Sequence, residues 1–269
     1  MNNKISRHLT VLLLAVVLVA CGDKKSEQPD NSKLLRGNEA TLSGDYAALR
    51  KQQILAVDYQ LSVVLDKQSP DFSGQVLINF ELAASNREPI TVDFNQGQVL
   101  AISVNGRTAQ WHYNNYFISL APELFKAGKN TLAIEYQHAY GSEGLGLHRF
   151  QDPENNEVYL YTDFEPYEAN KLFPHFDQPN LKASYVLDVV APSQWQVVSV
   201  MRENSVSEDA TASTRHWHFP ASAKISSYVF ALHAGPYHVW EAKAGDIPLR
   251  LFARNSLAPY VKTDDWFHF

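Results

Sequence analysis

Asp163 and Glu165 are the two carboxylates whose spacing best suits chemistry in this sequence. They stand two positions apart at the end of an apparent strand, so we expect both side chains to face the same side. Pro166 follows, and proline favours the first position of a helix while disfavouring helical geometry at the residue before it. The pattern therefore predicts that Glu165 lies at a strand-to-helix corner and projects into a cleft. A fixed carboxylate pair at such a corner suits the capture of an ammonium group.

Two other interpretations of this carboxylate pair stay open at the level of the residues. Composition alone is compatible with a solvated acidic turn, because Asp and Glu are mostly exposed in proteins. The two carboxylates could also reach the separation that a glycosidase requires. Nothing else in the sequence indicates a sugar site, so the glycosidase is the weaker alternative.

The usual sequence motifs of hydrolases and metal sites are missing or incomplete. No histidine is followed by glutamate, which excludes a His-Glu-x-x-His zinc helix in these 269 residues, and there is no Gly-x-Ser-x-Gly elbow. His216 and His218 share one face of a predicted strand and could supply two metal ligands, but no third ligand has suitable spacing. We therefore interpret them as part of a packed strand and predict no metal site in this chain.

The N-terminus predicts a bacterial lipoprotein signal over residues 1–20. Lys4 and Arg7 precede an apolar run that is too short to span a bilayer, and Ala20 precedes Cys21 as in a lipobox. The Cys21 thiol is predicted to carry diacylglycerol, which would hold the protein on a membrane of the bacterial cell envelope. Gly22 after the cysteine favours the outer membrane, facing the periplasm. The polar residues 21–40 are predicted to be a flexible tether.

Composition excludes several classes of partner and of fold. The formal net charge is −6 and no basic cluster is visible, so a nucleic-acid partner is not expected. A hydrophobic fraction of 45% and an aromatic fraction of 12% exclude a disordered chain. Because Cys21 is the single cysteine, no intramolecular disulfide is possible.

Most of the remaining sequence predicts short strands separated by turns. A short helix is predicted over residues 43–54 with Ser43 as its cap, and Asn105-Gly106 is typical of a two-residue hairpin loop. We therefore expect a mainly β fold with few short helices, an antiparallel saddle-shaped or sandwich domain. The predicted strands are 59–65, 74–82, 91–94, 99–104, 116–120, 131–136, 158–161, 185–190, 195–200, 216–219, 228–233 and 249–252.

The segment that carries the carboxylate pair also carries a family resemblance. In register with the family pattern are Glu165-Pro166, Ala169, Phe173-Pro174, Phe176-Asp177, Pro179 and Lys182-Ala183, with Gly146–Phe150, Ile225–Ala231 and Gly235–Tyr237 in agreement. These residues resemble the N-terminal domain of aminopeptidase N, from the zinc-dependent gluzincin aminopeptidases. The similarity runs from about Val57 to Phe252, so the resemblance implies the aminopeptidase N type of β domain.

The resemblance implies roles for individual residues. Glu165 matches the glutamate that binds the free α-amino group of the substrate, so a peptide N-terminus is the implied partner. Asp163 replaces the usual glutamine of the same subsite, which adds negative charge beside the amine. Asn170 replaces a common arginine, and His175 replaces a common cysteine. We interpret His175 as structural, packed between Phe173 and Phe176.

The resemblance also implies a domain organisation and a missing part. In the family, the zinc helix and the Gly-x-Met-Glu-Asn strand lie C-terminal to this region. We therefore expect residues 41–255 to form the β domain and 256–269 to begin a missing catalytic domain that holds zinc in the full-length parent. This chain alone is expected to lack a cofactor and to be inactive. The alternative is a non-catalytic β-sandwich lipoprotein that binds peptides or envelope proteins.

Overall fold

A computed structural model describes residues 36–84 and 86–268 of the protein. The predicted signal peptide, Cys21 and most of the predicted tether lie outside these described residues. No helix among residues 36–84 and 86–268 is long and apolar enough to cross a bilayer.

Strands dominate the described residues, which contain two α-helices, α1 (Gly44–Gln53) and α2 (Thr263–Trp266). The first strands are β1 (Ile54–Val64), β2 (Asp71–Leu82), β3 (Ile90–Asp93), β4 (Gln98–Val104), β5 (Arg107–Thr108), β6 (His112–Tyr113), β7 (Phe117–Leu120) and β8 (Gly128–Ala139). The later strands are β9 (Gly146–Gln151), β10 (Val158–Asp163), β11 (Tyr185–Pro192), β12 (Gln196–Ser199), β13 (Ser205–Asp209), β14 (Thr214–Phe219), β15 (Leu232–Gly235), β16 (Tyr237–Ala244) and β17 (Ile247–Arg254).

The strands form four sheets, and nearly all neighbours are antiparallel. The largest has eight strands in the order β13-β14-β11-β1-β2-β8-β4-β5, and a four-stranded sheet has the order β12-β15-β10-β9. Smaller sheets join β3-β7-β6 and β16-β17. The exception is β1, which pairs parallel with β11. This architecture confirms the predicted mainly β, antiparallel fold with few short helices.

Alternating burial explains why the long strands form. On β2, Val76, Ile78 and Phe80 are buried while the intervening residues are partly exposed, as expected for a strand with one face on the core. Burying each such side chain contributes roughly 1.5–3 kcal/mol relative to leaving it in water. The same alternation made these strands predictable from the sequence.

The parallel pairing of β1 and β11 brings two tyrosines together beneath the region of interest. Tyr59 lies opposite Tyr185 in the strand register, and their rings stack at 5.2 Å between centroids. The backbone N–H of Phe176 donates to the Tyr59 hydroxyl at 3.1 Å. The segment that follows the Glu165 turn is therefore held directly on the large sheet.

Two local predictions are confirmed in detail. Helix α1 begins after Ser43, whose Oγ accepts from the Tyr46 N–H at 3.2 Å and so caps the helix. Asn105 and Gly106 have φ values of 51° and 77°, and they form the two-residue loop between β4 and β5. Left-handed geometry at both loop positions matches the right-handed twist of the strands that they join.

The predicted strand 228–233 is wrong over its first four residues. Residues Ser227–Val229 form a 3-10 turn, and the strand is β15, which begins at Leu232. The buried Ser227 hydroxyl donates to Asp177 at 2.6 Å, and the Ser226 hydroxyl donates to the Pro179 carbonyl at 2.7 Å. These tertiary bonds hold the backbone in a turn despite the β propensity of the apolar residues that follow.

Candidate functional site

The carboxylate pair lies where β10 leaves its sheet. Asp163 is the last residue of the strand, and Glu165 is in the turn that follows. The Glu165 N–H points to the Asp163 carboxylate, with 3.4 Å between N and Oδ1. Both residues are exposed, and the peptide bond between Glu165 and Pro166 is cis.

The predicted strand-to-helix corner is wrong in its second part, because no α-helix begins at Pro166. A turn is closed by the Glu168 N–H, which donates to the Phe164 carbonyl at 3.0 Å, and a single 3-10 turn follows over Ala169–Lys171. Five cavities on the described surface are lined by other residues, so the predicted cleft has no counterpart among them. The two carboxylates stand on an open surface of the described residues.

The charge of this pair is uncompensated within the described part of the chain. Neither Asp163 nor Glu165 forms an ion pair with a described residue, whereas the neighbouring Glu168 pairs with Lys171 at 2.7 Å. Two adjacent anions without a counter-ion create a negative potential that attracts a cation. Water screens this attraction while the surface stays open.

A buried ionic network lies beneath the turn. Arg36 Nη2 is 2.9 Å from Asp93 Oδ1 and donates to the Tyr167 hydroxyl at 3.2 Å. The other oxygen of Asp93 pairs with Arg50 Nη1, so the carboxylate lies between two guanidinium groups. Burial, followed by the nearby charge of Asp93, raises the pKa of Tyr167, which therefore stays a neutral hydrogen-bonding group. The network ties the turn to α1 and β3.

A second buried carboxylate, Asp177, holds the far end of the same turn. Its Oδ2 accepts from the Asn170 backbone N–H at 3.1 Å and from the Asn170 side-chain amide at 2.9 Å. That amide also donates to the Tyr167 carbonyl at 3.0 Å. Burial favours the neutral acid, but the charge of His175 and the hydrogen bonds of His175, Ser227 and Asn170 outweigh it and hold the pKa of Asp177 below its ordinary value.

His175 lies in the aromatic core. Its ring stacks on Phe173 with 4.3 Å between centroids and meets the Tyr59 ring edge to face at 5.9 Å. Phe176, which we expected to be its other neighbour, instead packs against Phe80. The reason is strand-like alternation, which turns residues 175 and 176 to opposite sides of the backbone.

In the structure, a carboxylate that the sequence did not reveal lies beside His216 and His218. Asp188 on β11 lies 3.1 Å from His216 Nε2 and 2.9 Å from His218 Nδ1. Only the strand register brings it there, so sequence spacing gave no signal. In residues 36–84 and 86–268, no group of three or more His, Cys, Asp or Glu is arranged to hold a metal ion. These residues therefore do not fit a catalytic zinc, which needs three protein ligands and an open position.

The comparison with known proteins gives the family. Residues 56–229 match the family model of the Peptidase M1 N-terminal domain. The chain belongs to this family. The matched residues include the carboxylate pair and both buried carboxylates beneath it, whereas Arg36 and Arg50 precede the match.

Individual relatives agree with this assignment. The chain is 31% identical over 237 residues to aminopeptidase N of Streptomyces lividans, covering 82% of this chain and 27% of that protein. It is 25% identical over 213 residues to aminopeptidase N of Acetobacter pasteurianus, covering 76% of this chain and 59% of that protein. It is 34% identical over 113 residues to human glutamyl aminopeptidase, covering 39% of this chain and 11% of that protein. The chain thus spans about a quarter of the length of the Streptomyces relative.

Proposed function

We propose that this Peptidase M1 N-terminal domain binds the free α-amino group of a peptide in a zinc aminopeptidase that removes N-terminal residues. Glu165 accepts the ammonium group, and Asp163 adds a second negative charge beside it. A charge-assisted hydrogen bond between carboxylate and ammonium is strong when water is excluded. Such contact makes the protein an exopeptidase, because a blocked N-terminus offers no cation to the site.

One observation carries this proposal: two exposed carboxylates without counter-ions stand on a turn that buried groups hold in place. Tyr167 and Asn170 anchor the turn from below, while Glu165 stays exposed. A site that holds its charge before the ligand arrives loses less entropy on binding. An ordinary solvated acidic turn has no need of two buried ionic anchors.

Zinc and the general base belong, in this proposal, to a separate catalytic domain. When bound there, zinc supplies an activated water at neutral pH. The described residues contribute binding and orientation of the amine and no metal ligand. Cys21 is proposed to carry the lipid that anchors the protein in the bacterial envelope, on the periplasmic side of the outer membrane.

The proposal is tested by the reading frame after codon 269 and by the substrates of its product. An in-frame His-Glu-x-x-His, with a product that cleaves aminoacyl substrates and spares their N-acetylated forms, supports the aminopeptidase. Equal cleavage of free and acetylated substrates contradicts amine recognition. A stop codon directly after Phe269, with a soluble monodisperse product, favours the non-catalytic lipoprotein instead.

A further inference from the structure

Residues 36–43, which precede α1, form an arm that contacts the domain through one buried side chain. The Arg36 side chain is 3% exposed, whereas residues 37–43 are exposed or only partly buried. Residues 36–42 form no backbone–backbone hydrogen bond with another described residue. Among the described residues, the contacts of Arg36 are therefore what holds this arm on the domain.

Two aromatic rings, a carboxylate and a phenol surround the Arg36 guanidinium group. Its central carbon lies 4.7 Å from the centroid of the Phe117 ring and 5.6 Å from that of the Tyr46 ring. Its Nη2 lies 2.9 Å from Asp93 Oδ1 and donates to the Tyr167 hydroxyl at 3.2 Å. A planar cation suits such surroundings, because it stacks on aromatic faces while its nitrogens bind anionic and polar oxygens.

Asp93 has other partners besides Arg36. Arg50 pairs with its Oδ2, and both of these side chains are at most 1% exposed. The same oxygen accepts from the backbone N–H of Asp177 at 2.9 Å. Because Arg50 already supplies a counter-charge, what Arg36 adds is the hydrogen bond to the Tyr167 hydroxyl. That bond joins the arm and Asp93 to the turn that carries Glu165.

We propose that Arg36 is a positioning residue that fastens the Tyr167 side chain and thereby keeps the Glu165 turn in place. Tyr167 lies two positions after Glu165, and the Asn170 amide donates to the Tyr167 carbonyl at 3.0 Å. Arg36 thus restrains the side chain of Tyr167, and Asn170 restrains its backbone. The importance of this restraint for amine binding rests on the proposed function, whereas the contact itself does not.

Arg36 lies outside the part of the chain that the family model matches, which begins at Ala56. It also lies within residues 21–40, which the sequence predicts to be a flexible tether. In this proposal the flexible part ends before Arg36, and residues 36–40 are docked on the domain. The segment that follows the predicted lipid anchor at Cys21 therefore helps to support the candidate site.

Amide hydrogen exchange of the 269-residue protein tests this role at Glu168 and Lys171. The Glu168 N–H donates to the Phe164 carbonyl and the Lys171 N–H donates to the Glu168 carbonyl, so both amides report on the turn. In Arg36→Ala and in Tyr167→Phe, each amide is expected to exchange at least about tenfold faster. The double variant is expected to show no further acceleration, because both substitutions remove the same hydrogen bond.

Arg254→Ala is the matched control. Arg254 also pairs with a buried carboxylate, Asp152, at 3.3 Å and stacks on an aromatic ring, Phe150, at 4.6 Å, but it lies on β17. Unchanged turn amides in Arg36→Ala, or an equal acceleration in Arg254→Ala, would overturn the proposal. Additive effects in the double variant would also overturn it, because Arg36 would then act through its charge and not through Tyr167.

Tyr167→Phe keeps the test decisive even where Arg36→Ala does not fold. It removes only the hydroxyl group that Arg36 binds, so normal exchange of Glu168 and Lys171 in this variant would by itself overturn the proposal. Because none of these measurements uses a substrate, a failed amine-binding proposal would leave their results standing.

Discussion

At the scale of single residues, the site contains two exposed carboxylates and two buried carboxylates, and the two pairs differ in their contacts. Asp163 and Glu165 are exposed and without counter-ions among the described residues, and in the proposed function they bind the ammonium group of the ligand. Asp93 and Asp177 are buried and fully engaged, so they fix the backbone beneath. The sequence indicated the exposed pair through its spacing. It gave no sign of the buried pair's partners, because Asp93 reaches Arg50 and Arg36 only through the fold.

Asp177→Asn tests how much the buried anchor stabilises the domain. The Asp177 carboxylate accepts buried hydrogen bonds from Asn170 and Ser227. An amide group cannot accept all of them, so we expect a loss of about 2 kcal/mol in the free energy of unfolding. Urea denaturation followed by tryptophan fluorescence measures it. A loss below about 0.5 kcal/mol would show that Asp177 is not an anchor.

The same residue predicts a pH dependence. Because the pKa of Asp177 is lower in the folded protein than its ordinary value, its carboxylate stabilises the fold above the unfolded pKa of about 4. That contribution is lost as the pH falls through the folded pKa. The stability difference between the wild type and Asp177→Asn should therefore shrink below about pH 4. A difference that stays constant from pH 7 to pH 3 would contradict this.

At the scale of elements, alternation and turn chemistry predicted most strands and the hairpin loop. They failed at Pro166 and at residues 228–231, where side chains distant in sequence determine the backbone. The Ser227 hydroxyl reaches Asp177, 50 positions away, and no local pattern contains that contact. The candidate site was thus predictable only in part. Local spacing predicted the two exposed carboxylates, whereas the buried contacts that hold their turn are visible only in the fold.

Gly106→Ala tests the hairpin loop. Gly106 has a φ of +77°, and an added Cβ would meet nothing within 4 Å, so the cost is conformational rather than steric. We expect a loss of about 1 kcal/mol in the free energy of unfolding. Gly44→Ala in α1 is the matched control, because it also meets nothing within 4 Å and has no positive φ. Equal effects of the two substitutions would contradict the loop assignment.

At the scale of the whole molecule, the chain is a Peptidase M1 N-terminal domain that presents a charged turn. Three of its four sheets share one apolar core, which contains residues from β1 to β15. The turn is connected to the large sheet through Tyr59 and to α1 through Arg50. The whole fold, rather than the loop alone, therefore keeps the two carboxylates in place.

Zinc content tests the division of labour between domains. After dialysis against zinc, we expect the 269-residue protein to retain well below one equivalent, because no described cluster suits the metal. Elemental analysis measures it. Stoichiometric zinc that is lost in His218→Ala would contradict this expectation and identify His216, His218 and Asp188 as the ligands.

Steady-state kinetics of Glu165→Gln in the complete enzyme test the central claim most directly. Removing the charge partner of a desolvated ammonium should lower kcat/KM on aminoacyl substrates by about 3 kcal/mol, or roughly 100-fold or more. Glu168→Gln, in the same turn but paired with Lys171, is the control and should stay within about twofold. Unchanged kcat/KM in Glu165→Gln, or an equal loss in Glu168→Gln, would contradict amine binding by Glu165.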